Sequence, residues 1–258
     1  MLRHALCIIF SVLSLSLAAA DKLTIAAASD LRFALTDIVA QFNQQHGAET
    51  IELVFGASGK LSSQIQHGAP FDIYFSADIQ YANKLSDAGF TATTPEVHAL
   101  GRIVLWSSNT DISNLKLADL TQTRFKRIAI AQPEHAPYGL RARQALIAAG
   151  VWQQLQGNIV YGENIAQTTQ MVKSGAADVG IIALSLAMSP ALQAMPYVLI
   201  DETLHSPLEQ GYVVTMHGKA NPLSKPFVDY LQSTNARRIM QRYGFAEPQH
   251  EHEKRYEP

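Results

Sequence analysis

One unit recurs three times before residue 90 and narrows what this chain can fold into: an apolar run, a turn of small polar residues, then apolar residues at helical spacing. The first pairs a strand over 23–28 with Ser29-Asp30 and the stripe Leu31, Leu35, Ile38, Val39 and Phe42, which runs through Asn43 and stops at His46-Gly47. The second runs from a strand over 51–55 through Gly56-Ala57-Ser58-Gly59-Lys60 into a helix that Gly68-Ala69-Pro70 ends. The third places a strand over 71–75 before Ser76-Ala77-Asp78 and a helix over 79–88, closed by Gly89. Strands without polar alternation are covered on both faces, as in parallel sheets, and their alternation with helices predicts an α/β architecture.

Thr91 to His98 shows little periodicity, and 101–106 is extended, so the chain is read as crossing there into a second lobe. That lobe repeats the design. A strand over 127–131 leads through a loop over 132–139 to a helix with Ala142, Ala145, Leu146 and Ala149 on one face, ended by Gly150. A strand over 158–161, the turn Gly162-Glu163-Asn164, a helix over 165–174 and a strand over 177–183 follow, with Leu184-Ser185-Leu186 opening the next element. Extended runs at 198–200 and 211–215 come next, the latter carrying the chain back, and helices over 226–231 and 235–243 finish it. The division expected is 21–100 plus 212–246 for lobe 1 and 101–211 for lobe 2. Residues 247–258 are charged and aperiodic and are expected to be a disordered tail; His250 and His252 there suit a solvated tail better than a metal site.

Residues 1–20 join Arg3 and His4 to an apolar run over 5–17 and the exit Ala18-Ala19-Ala20, the pattern of a secretory signal peptide cleaved before Asp21. A membrane anchor needs roughly 18 or more apolar residues, and serines interrupt this shorter run. The single cysteine, Cys7, lies inside it, so the mature chain has no thiol for a disulfide, a metal or nucleophilic attack. With 47% hydrophobic residues the rest can build two cores, and a formal charge of −2 gives no steering toward nucleic acid or an anionic membrane. Any anion is therefore bound by local geometry.

Open α/β sheets hold ligands beyond the carboxyl ends of their strands, and each unit presents a helix N-terminus there. The first N–H groups of a helix lack intrahelical partners and carry the positive end of its dipole, which suits an oxyanion. Candidate seats are Ser29-Asp30, Ser58, Tyr138-Gly139 and Asn164-Ile165. Ser58 also reads as an ordinary helix N-cap. A P-loop needs four residues between its first glycine and Gly-Lys, then Ser or Thr; here two intervene and Leu61 follows Lys60. A nucleophile elbow needs glycine at 60.

In their order and spacing, Ala-Ala-Ala-Ser at 26–29, Phe-Gly-Ala-Ser-Gly-Lys at 55–60, Ser-Ala-Asp at 76–78, Pro-Glu-His-Ala-Pro-Tyr-Gly at 133–139, Gly-Glu-Asn-Ile at 162–165 and Arg-Tyr-Gly-Phe at 242–245 resemble the periplasmic molybdate-binding proteins of ABC transporters. The resemblance spans essentially the whole mature chain. It implies a type II periplasmic-binding fold, two α/β lobes of mostly parallel sheet flanked by helices, closing by a hinge on an ion in the cleft. It further implies a monomer in the periplasm that has no cofactor, binds molybdate or tungstate, and delivers it to an inner-membrane permease. Ser29 and Ser58 would supply hydroxyl and backbone donors from one lobe, Tyr138 and Ile165 backbone donors from the other. Where some members carry a tyrosine, this sequence has Ala183-Leu184-Ser185, and the Tyr138 hydroxyl is a candidate to compensate. Asp30 is a second departure: an ionised carboxylate accepts hydrogen bonds only, so its N–H is expected to face the ion and its side chain to turn away.

Lys60 reads as a solvated lysine and His135 as a loop residue outside the contact set. Within the binding class, sulfate or another tetrahedral oxyanion is the rival. A serine hydrolase using Ser58 with His135 or His217 ranks lower, since no elbow is intact, and the scattered histidines argue against a metal carrier.

Overall fold

The structure, a computed structural model, describes residues 22–47 and 50–248. The expected signal peptide, Cys7, His250, His252 and all but the first two residues of the expected tail lie outside the described residues.

The three opening units fold as their patterns require. They are β1 (Lys22–Ala28) with α1 (Arg32–His46), β2 (Thr50–Gly56) with α2 (Ser58–Gln66), and β3 (Ile73–Ser76) with α3 (Ile79–Asp87). Leu23, Ile25, Ala26 and Ala27 are fully buried although they point to alternate faces, which is why β1 shows no polar alternation. On α1, Ala34, Leu35, Ile38 and Phe42 form the inward stripe, and Phe42 packs edge-on against Phe227 and Tyr230.

β4 (Glu96–Gly101) and β5 (Ile103–Trp106) are separated only by Arg102, yet lie in different sheets. The second half contains β6 (Ile128–Ala131), α4 (Pro137–Ala148), α5 (Trp152–Leu155), β7 (Ile159–Gly162), α6 (Ile165–Lys173), β8 (Val179–Ala183), α7 (Leu184–Ala187) and β9 (Tyr197–Leu199). The chain returns along β10 (Leu208–Val214) and ends with α8 (Ser224–Leu231) and α9 (Thr234–Arg242).

The strand orders are β2-β1-β3-β10-β4 and β7-β6-β8-β5-β9. In each sheet four strands run one way, and the reversed strand, β10 or β5, is the one that has just crossed over. Ile103 pairs with Ala183 at the end of β8, and Leu208 with Gly101 at the end of β4. Both crossings therefore pass the carboxyl edges of the sheets, and those edges face each other.

Two expectations on element limits change. The aperiodic stretch before residue 98 holds the start of β4, an edge strand whose Glu96 and Val97 are exposed, so its buried part is too short to show alternation. β10 begins at Leu208 rather than Gly211 and ends at Val214. A register shift between Gln210 and Gly211 divides the strand and hides its first half from a reading by apolar runs.

Candidate functional site

The facing edges meet at a small, partly open pocket of about 10 Å³. Its floor on one side is the ends of three strands: Ala28, the last residue of β1, with Ser29 and Asp30; Gly56, the last residue of β2, with Ala57 and Ser58; and Ala77 just after β3. Opposite stand Ala136, Pro137 and Tyr138 at the start of α4 and Ile165 at the start of α6. All five residues singled out in the sequence, Ser29, Asp30, Ser58, Tyr138 and Ile165, line this one pocket, and each is almost wholly buried. No lysine, arginine or histidine lines it.

Three helices begin at the pocket. α2 follows Ala57, and α4 follows Ala136 with Pro137 at its first position, and neither has a side-chain cap. Pro137 has no N–H, and the Gly59 and Gly139 N–H groups donate to the His135 and Ala136 carbonyls, so the Ser58 and Tyr138 N–H groups are the ones left for another acceptor. On α6, Asn164 caps Ala166 and Gln167 at 3.1 and 3.0 Å, so Ile165 is the helical residue ahead of the capped pair.

Ser58 is the first residue of α2, so it does not serve as the N-cap. Its Oγ accepts from the Ala77 N–H at 3.0 Å, which leaves the hydroxyl proton to donate, and its carbonyl accepts from the Tyr74 hydroxyl at 2.8 Å. Beside it, the Gly59 N–H donates to the His135 carbonyl across the cleft at 2.9 Å. Ser29 opens a short 3₁₀ turn and caps nothing in its own lobe; its hydroxyl donates to Asn164 Oδ1 at 3.2 Å and accepts from the Ala166 N–H at 3.3 Å.

Asp30 differs from expectation in what holds it. Its Oδ2 accepts from the Tyr138 hydroxyl at 3.1 Å and from Gln210 Nε2 at 2.6 Å, while Oδ1 is buried with no hydrogen bond. Burial pushes its carboxyl up to about 6, and the hydrogen bonds from Gln210 and Tyr138 offset only part of that. The Tyr138 hydroxyl is committed to Asp30 and Gln210, so it does not replace the missing tyrosine as a donor to the pocket. Burial, followed by the Asp30 charge, drives its ionisation well above the usual tyrosine range.

Lys60 pairs with Glu163 at 2.7 Å on the rim, each about half exposed, so this solvated lysine also bridges the lobes. The His135 ring bonds the Glu163 carbonyl at 3.1 Å. His217 pairs with Asp72 at 3.0 Å, but Asp72 precedes β3, at the opposite edge of the sheet from Ser58.

Sequence reasoning missed three participants. Gln210 is fully buried among Leu208, Tyr212 and Val214 on alternate positions of β10; a glutamine at an inward position was the available signal. Ser185 donates to the Asp30 carbonyl at 2.9 Å. Arg141, on α4, donates to Asp78 Oδ2 at 2.8 Å, and to the Ser206 and Pro207 carbonyls, closing a buried ion pair between the lobes.

Residues 23–246 match the model of a family described as bacterial extracellular solute-binding protein. The chain belongs to that family. This solute-binding protein is 34% identical to the molybdate-binding protein ModA of Azotobacter vinelandii over 88% of its own chain and 91% of that protein. It is 30% identical to ModA of Rhodobacter capsulatus, covering 88% and 89% respectively. The solved structure of the Azotobacter vinelandii periplasmic molybdate-binding protein superposes with a TM-score of 0.82 at 29% identity, covering 88% of this chain and 100% of that one. The two-lobe α/β fold of the solute-binding protein is the one its sequence implied. Among the described residues, no cluster of three or more His, Cys, Asp or Glu is placed to hold a metal cation, and no helix is long and apolar enough to cross a membrane.

Proposed function

We propose that this chain captures molybdate, and tungstate with it, in the periplasm and delivers the ion to an ABC permease. The observation that carries the reading is the convergence of three helix N-termini and two buried serine hydroxyls on one pocket without a cationic side chain. Molybdate near neutral pH is a dianion with acceptors only, so it pairs with a shell of donors. Each charge-assisted bond contributes roughly 1.5–3 kcal/mol, so several acting together offset the ion's dehydration without a formal countercharge. At about 10 Å³ the pocket is far below the roughly 300–1,000 Å³ of sites for drug-sized molecules, which supports a small ligand over an organic one. In this reading Ser58 contributes its free hydroxyl proton, Ser29 contributes one by turning its hydroxyl from Asn164 Oδ1 to the ion, and Tyr138 and Ile165 contribute backbone N–H groups. The names of the relatives support molybdate over sulfate.

One observation favours a second reading. An ionised Asp30 Oδ1 is an acceptor without a partner, and it would suit a tetrahedral oxyanion that carries its own proton, such as hydrogen phosphate. Hydrolysis fits the site poorly: Ser58 Oγ is bonded to Ala77, the His135 ring to Glu163, and His217 belongs to the far edge.

A thermal-shift series with molybdate, tungstate, sulfate and phosphate tests the assignment, because a ligand at 100 times its Kd stabilises by about 2.7 kcal/mol. Upward shifts with molybdate and tungstate are expected. A shift confined to sulfate or phosphate would reassign the ligand, and no shift with any of the four would remove the oxyanion reading.

A further inference from the structure

Of the residues lining the pocket, Asp30 carries the only carboxylate, and its two oxygens are held differently. Oδ2 receives hydrogen bonds from Tyr138 on α4 and Gln210 on β10. Oδ1 is buried and receives none. A residue that lines a donor-built seat for a dianion thus carries one buried acceptor oxygen with nothing to accept from, at the junction of both lobes and the returning strand. Left ionised beside a bound dianion, that oxygen would repel it in a site that excludes water.

We propose that Asp30 takes up a proton on Oδ1 as the oxyanion enters and donates it to the ion in a hydrogen bond, so that the protein captures one anion and one proton together. The inference rests on the oxyanion reading above. The proton comes from the bulk buffer, the only bond formed is the O–H of the carboxyl, and release of the ion returns the proton to solvent. Oδ2 keeps its two donors throughout, which directs the proton to Oδ1. The neutral acid then becomes one more donor in the shell, and the misplaced negative charge disappears.

The surroundings do not hold Asp30 ionised. From α4 it meets the Tyr138 hydroxyl, from β10 the Gln210 amide, and from α7 the Ser185 hydroxyl on its carbonyl, all neutral. On α1, Arg32 lies over the Phe55 ring and Asp37 pairs with Arg242; on α6, Lys173 is in the last turn; on α4, Arg141 is closed on Asp78. Across the cleft, Lys60 is held by Glu163. Burial alone already brings the carboxyl up to about 6 without an ion in place. An adjacent dianion raises it further, so above that pH binding must draw in a proton, and affinity falls by up to about tenfold per pH unit.

Calorimetry of the mature protein with sodium molybdate, near pH 7.5 in buffers of different ionisation enthalpy such as HEPES and Tris, counts the protons directly. The slope of observed enthalpy against buffer enthalpy is expected to report about one proton taken up per ion, with Kd rising roughly tenfold per unit between about pH 7 and 8. Asp30→Asn is expected to bind molybdate with a slope near zero and a Kd that does not change over this range. Binding by the wild type with no proton uptake overturns this proposal and leaves the molybdate reading standing. An uptake that persists in Asp30→Asn also overturns it, and absence of binding to the wild type overturns both.

Discussion

Burial gives the Asp30 carboxyl a proton affinity that differs between the folded and unfolded chain, about 6 against 3.8. Between these values the folded chain binds more protons than the unfolded one, so stability falls as pH rises through the window and stays depressed above it. The gap corresponds to a loss on the order of 3 kcal/mol at pH 7 and above. Asp30→Asn removes the titration while keeping an acceptor for Tyr138 and Gln210. Urea unfolding of the variant at pH 8 is expected to show a gain of about 1–3 kcal/mol, with the decline between about pH 4 and 6 flattened; equal or lower stability at pH 8 would contradict the burial cost. The pocket residues at helix starts were legible because glycine, serine and proline mark those starts locally. The partners of Asp30 were not: Tyr138 lies 108 residues away and Gln210 180, and no local pattern encodes such a contact.

At the scale of elements, the donors depend on where each helix begins, and α4 shows how narrow that placement is. A Cβ added at Gly139 would lie 1.9 Å from the Ala131 carbonyl oxygen, so the first turn of α4 sits directly on the end of β6. Gly139→Ala must push the helix start away from the strand and carry the Tyr138 N–H with it. A loss of about 1–3 kcal/mol in unfolding free energy is expected, together with at least tenfold weaker molybdate binding by calorimetry; wild-type affinity would contradict the role given to this N-terminus. The strand-turn-helix units were readable because buried parallel strands carry continuous apolar runs. Less legible was what Ser29 does. Ser-Asp before an apolar stripe reads as a cap, but the chain enters a 3₁₀ turn and the hydroxyl turns to Asn164 on the other lobe. The edge strand β4 and the register-shifted β10 were obscured because neither presents an unbroken apolar run.

Across the whole molecule, the lobes are joined over the pocket by contacts of unequal strength. Arg141 and Asp78 form a buried pair, whereas Lys60 and Glu163 form an exposed one. Breaking a buried pair leaves an uncompensated charge and costs roughly 3–5 kcal/mol, while exposed pairs contribute about 0–1. Arg141→Met is therefore expected to favour parted lobes and speed molybdate release by tenfold or more in stopped-flow displacement, with Lys60→Ala within about threefold of wild type. Similar rates for the two variants would show that the buried pair does not hold the lobes together. The central claim is that donors at the meeting edges of two sheets hold a tetrahedral oxyanion without a countercharge. Equilibrium dialysis of the purified mature protein against molybdate in excess sulfate, with molybdenum counted by mass spectrometry, tests it most directly. The account predicts about one molybdenum per chain for the wild type and a large loss on Ser58→Ala; molybdenum no higher than in the surrounding buffer would contradict it.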